Sequence, residues 1–71
     1  MNFYFITYGN NLIGCYSVIM ADSYSDAREI AHNGTNGSKF AFMYEGKEEL
    51  QRQLDRGYLD RGEVPLQPME V

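Results

Sequence analysis

The residues able to do chemistry in this chain are few. Cys15 and His32 bring together a thiol and an imidazole, the two groups of a nucleophilic dyad in which the base generates the thiolate. Nothing in the spacing supplies a carboxylate to orient His32, and Cys15 stands inside the apolar run "LIGCYSVIM", where a buried structural thiol is the commoner outcome. The same two residues are the chain's only soft metal ligands, which falls short of a zinc site. Glu45, Glu48 and Glu49 offer carboxylates for acid–base work. They also stand where a helix begins, and acids there complement the helix dipole without any catalytic role. Two formal glycosylation sequons, Asn33-Gly34-Thr35 and Asn36-Gly37-Ser38, read as an Asn-Gly loop in the absence of a secretion signal. The expectation is a protein that is not an enzyme and holds no metal and no cofactor.

The stretch "SKFAFMYE" carries a sharper signal. Its Phe40-Ala41-Phe42 core is similar to the RNP1 strand of RNA-recognition motifs, where exposed aromatic rings stack bases. A single-stranded nucleic-acid binder using Phe40 and Phe42 is therefore the alternative reading. Against it stand the order of elements, which begins with a hairpin, and the charge. Ten acids oppose six bases for a net charge of −4, the wrong sign for a phosphate-backbone binder.

Seventy-one residues make one domain with a small core. One cysteine cannot form an internal disulfide, so self-association or a partner is the remaining way to add stability. Residues 1–21 carry no Asp, Glu, Lys or Arg. This is not a secretory signal, because no basic residue precedes the apolar ones and Gly9, Asn10 and Asn11 interrupt them. "LIGC" resembles a lipoprotein cleavage box but lacks the flanking signal. No apolar run reaches the length of a membrane helix. The expected setting is the cytoplasm, with no membrane association.

The elements read as β-β-α-β-α, an α+β fold in which a small antiparallel sheet carries two short helices on one face. "NFYFITY" (Asn2–Tyr8) and "LIGCYSVIM" (Leu12–Met20) are aromatic and β-branched strands joined by a Gly9–Asn11 hairpin loop, with Gly14 as a bulge position. Ser23 and Asp26 form a capping box opening a helix to about His32, with Tyr24, Ala27, Ile30 and Ala31 on one face. "KFAFMY" (Lys39–Tyr44) is the third strand. A second helix starts near Lys47, with Leu50 and Leu54 on one side and a Glu48–Arg52 pair on the surface.

The segment "LDRGYLDRGEVP" says Leu-Asp-Arg-Gly twice at a five-residue interval, out of step with a helix. Gly57 fits a helix C′ position with Arg56 against the negative dipole end, and Asp60-Arg61-Gly62 has turn chemistry. Residues 58–71 are expected to be irregular or an edge strand, since Pro65 and Pro68 remove backbone donors.

The succession "FITYG", "ADSYSDAREIA", "KFAFMY" and "EVPL" resembles small uncharacterised accessory proteins of actinobacteriophages and related prophages. The resemblance spans nearly the whole chain. It implies an intracellular, phage-encoded protein acting on a host component.

The strands lack the polar–apolar alternation of a sheet with one solvated face. Two helices on one face would leave the other open, and a large exposed apolar patch marks an interface. The expected partner-binding face comprises Tyr4, Ile6, Tyr8, Tyr16, Val18, Met20 and Met43. The expected function is a non-enzymatic protein-binding module forming a homo-oligomer, a dimer, through that face, binding a host protein, or both.

Overall fold

The structure is a computed structural model that describes residues 1–9, 12–35 and 40–66. The element order is β1 (Asn2–Tyr8), β2 (Cys15–Ala21), α1 (Tyr24–Gly34), β3 (Phe40–Glu45), α2 (Lys47–Asp55) and β4 (Gly62–Glu63). The α+β class and the order β-β-α-β-α are as read from the sequence, with a short fourth strand added. The sheet runs β3-β1-β2-β4. It is mixed and not purely antiparallel: β1 pairs antiparallel with β2 and β3, whereas β4 lies parallel to β2. Asn10, Asn11, the second sequon, Lys39 and the segment from Gln67 onward lie outside the described residues.

Two crossovers decide where the helices sit. Strands β2, β3 and β4 all run the same way. The β2–α1–β3 connection steps over β1 in one direction, and β3–α2–β4 steps back over β1 and β2 in the other. Parallel crossovers are right-handed, so two that step in opposite directions place their helices on opposite faces. The packing agrees. The α1 residues Ala27 and Ala31 join one cluster with Tyr4, Ile6, Tyr8, Cys15 and Ile19. On the other face Lys47, the first residue of α2, stands 5.7 Å from the centre of the Phe3 ring. Phe5, on the Phe3 side of β1, is fully buried at 0% exposure. The expectation of both helices on one face is therefore corrected. The apolar character of β1 on both sides is accounted for: Tyr4, Ile6 and Tyr8 are buried beneath α1, and Phe5 is buried on the opposite face.

Helix α1 approaches the sheet through small residues. Ala27, Ala31 and Gly34 are its buried positions, while Tyr24 and Ile30 from the expected apolar stripe are exposed. Its start is as expected: the Ser23 Oγ accepts from the Asp26 N–H at 3.1 Å. Gly34 packs closely enough against Leu66 that a Cβ would lie 3.1 Å from that side chain. At α2 the surface pair differs from expectation: Arg52 meets Glu49 at 3.4 Å instead of Glu48.

The doubled Leu-Asp-Arg-Gly resolves into two different devices. In the first copy, Gly57 has φ +78°; its N–H donates to the Leu54 carbonyl, and the Tyr58 N–H donates to that of Gln53. This is a Schellman closure of α2. In the second copy Leu59 is a core residue, 5% exposed, and the Arg61 N–H donates to the Gly14 carbonyl at 3.1 Å. Gly62 and Glu63 then pair with Cys15 and Tyr16, so this part of the 58–71 segment is an edge strand. The second copy pins the segment around β4 to the sheet.

Candidate sheet-edge interface

Register sorts the expected interface residues onto two faces. Cross-strand partners share a face, so Tyr4 stands with Ile19, Ile6 with Ser17 and Met43, and Phe5 with Val18 and Tyr44. Tyr4, Ile6 and Tyr8 are buried beneath α1, and Met43 packs against the same cluster. Tyr16, Val18 and Met20 belong to the opposite face with Phe3 and Phe5. The seven residues therefore form no single patch, and Tyr4, Ile6 and Tyr8 are not available to a partner. The sequence pattern assigned them wrongly because period-two alternation names two faces per strand without matching them between strands.

The RNP1-like strand is also divided. Thr7 partners Phe42, but Tyr8 partners Phe40, so Ala41 is an extra residue and the register slips between Thr7 and Tyr8. Phe40 consequently faces α1, where its ring lies 5.2 Å from that of His32 and packs against the core cluster. Phe42 faces the other way and is 63% exposed. It ends a short ring series: Phe5 stacks on Tyr44 at 5.1 Å between centroids, and Tyr44 meets Phe42 at 6.3 Å.

Among the described residues β3 pairs with β1 alone and forms the outer strand of the sheet. The Gly46 N–H donates to the Phe3 carbonyl, and Phe3 pairs in this ladder with Gly46, Phe5 with Tyr44 and Thr7 with Phe42. The alternation of an antiparallel ladder then turns the backbone groups of Met43 and Glu45 outward. An outward row of donors and acceptors next to exposed Phe42 and Ala41 is a template for another strand. Within Phe40–Glu45 there is no Lys or Pro of the kind that blunts such edges in many proteins, and Glu45 is the one charged side chain.

The residues of the nucleophilic reading do not assemble into a site. Cys15 is buried under α1, whereas His32 is exposed with its ring against Phe40. Among the described residues no group of acidic, His or Cys side chains is arranged to hold a metal ion. Glu49 is taken up by Arg52, and Glu45 and Glu48 are exposed. A buried polar network is structural: Ser17 Oγ lies 2.6 Å from the Tyr8 hydroxyl and donates to the Val64 carbonyl. No described helix is long and apolar enough to cross a membrane. The chain matches no protein-family model, no curated protein and no solved structure.

Proposed function

We propose that this protein is a non-enzymatic protein-binding module that associates with a second copy of itself by pairing β3 with β3. The observation that carries the reading is the exposure of Phe42 on a strand that has no described strand on its other edge. Antiparallel pairing of one strand with its own copy is two-fold symmetric, so a single patch serves both partners. It would extend the sheet across the dimer and bury Phe42 at the seam. A chain this small gains most from such a staple. The surface involved is the β3 edge and the Phe42–Tyr44 rings, in place of the face beneath α1.

The resemblance to accessory proteins of actinobacteriophages supports an intracellular setting, in the host cytoplasm, and a host protein as a further partner. The test is sedimentation equilibrium on the parent chain and on Phe42→Lys. A dimer that the substitution converts to a folded monomer supports the reading. A parent that is monomeric at micromolar concentration contradicts it, and so does tight, salt-dependent binding of a short single-stranded oligonucleotide.

A further inference from the structure

β3 is exposed at Ala41, Phe42 and Glu45, and few of its residues can offer regular backbone bonds to another strand. Phe3 pairs with Gly46, Phe5 with Tyr44 and Thr7 with Phe42, which commits the backbone groups of these β3 residues to β1. Met43 and Glu45 therefore point theirs outward. Ala41 would do the same by alternation, but it is the inserted residue of the bulge, where the ladder is interrupted.

A second copy laid antiparallel must set outward residues opposite outward residues, so each two-fold register is named by the residue on its axis. An axis at Phe42 sets Ala41 opposite Met43, and one at Met43 sets Ala41 opposite Glu45; both lose bonds at the bulge. With Glu45 on the axis two carboxylates stand directly opposite each other, a destabilising pair. With Tyr44 on the axis Met43 meets Glu45 twice. That register uses both regular outward residues of each copy and keeps the acids apart.

We infer that two copies of β3 pair with Tyr44 on the two-fold axis, and that the exposed ring of Phe42 seats over Gly46 of the second copy. The inference rests on the β3–β3 pairing and adds its register. Phe42 then stands opposite Gly46 on the α2 side of the sheet, where a Cβ at Gly46 would meet nothing within 4 Å. The glycine leaves room for a ring. The two Tyr44 side chains become neighbours across the axis, so the ring series Phe5–Tyr44–Phe42 continues from one copy into the next. Gly46, with φ +100°, both turns the chain into α2 and selects the register.

Cysteine scanning reads the axis directly, because each register brings a different residue against its own copy. Across the axis of a non-hydrogen-bonded pair the Cα atoms are about 4.5 Å apart, within disulfide reach, whereas diagonal neighbours stand about 7–8 Å apart. Tyr44→Cys should oxidise to a covalent dimer under diamide, while Phe42→Cys, Met43→Cys and the parent, whose Cys15 is buried, should not. Tyr44→Cys also removes a ring that stacks on Phe5, so the parent supplies a second reading. In a mixture of isotope-labelled and unlabelled parent, filtered NOEs should connect the Phe42 ring with the Gly46 α-protons of the other copy. A monomeric parent in sedimentation equilibrium would remove the pairing and the register together. A dimer that cross-links through Phe42→Cys or Met43→Cys, or that shows no Phe42–Gly46 contact, would overturn the register and leave the pairing.

Discussion

Tyr8 and Phe40 are partners across β1 and β3, one residue out of step with Thr7 and Phe42. That single slip turns Phe40 into the core and leaves Phe42 in solvent, although the two stand only two positions apart. The bulge at Ala41 thus converts what reads as an aromatic platform into one anchor and one exposed ring.

The contrast is measurable. Phe40→Ala should destabilise the fold by about 2 kcal/mol, because it removes apolar contacts to the α1 cluster from a half-buried site. Phe42→Ala, at low protein concentration, should stay within about 0.5 kcal/mol of the parent, as for other exposed positions. Urea denaturation of both variants checks the pair. Equal losses would place the two rings in equivalent surroundings and contradict the register.

Gly14 and Gly57 give a second contrast. Both have positive φ, at +88° and +78°, where a Cβ costs about 1–2 kcal/mol. A Cβ on Gly57 meets open space, whereas one on Gly14 would lie 2.6 Å from Asp60 Oδ1 and 3.0 Å from Arg61 Cγ. Gly57→Ala should therefore cost about 1 kcal/mol. Gly14→Ala should cost clearly more, about 2–3 kcal/mol, since it also displaces the segment that Arg61 anchors. Thermal melts of the two variants rank them directly, and the reverse order would mean that the second Leu-Asp-Arg-Gly copy does not dock on Gly14.

Ser17 holds the third test. Its hydroxyl serves the buried Tyr8 hydroxyl and the Val64 carbonyl together. Ser17→Ala leaves both without that partner and should cost about 1–3 kcal/mol. Amide exchange near Val64 should accelerate in the same variant, because the chain after β4 loses one of its ties to β2. Unchanged stability and exchange would show that water replaces the hydroxyl without loss.

Local chemistry made part of this fold legible in the sequence. The Ser23 cap, the β-rich strands and the Gly57 helix end are each set by residues within a few positions of one another. Pairing across the sheet was not legible. Period-two alternation showed that β1 and β2 are apolar on both sides, yet gave no register, so Tyr4 and Tyr16 were grouped although they face opposite ways. Helix amphipathicity likewise named a buried side of α1 and α2 without saying which sheet face each covers; that followed only from strand order. Leu59 was missed because it stands between turn residues with no periodic neighbour, and its burial depends on Arg61 reaching Gly14. The candidate interface changed for the same reason: open edges are properties of strand order, and strand order is non-local.

Self-association through the β3 edge, with Phe42 at its seam, is tested by sedimentation equilibrium on the parent chain and on Phe42→Lys. The parent should be a concentration-dependent dimer, and the variant a monomer whose melting temperature at low concentration equals that of the parent. A parent that remains monomeric throughout the micromolar range, or a Phe42→Lys variant that dimerises as tightly as the parent, would contradict it.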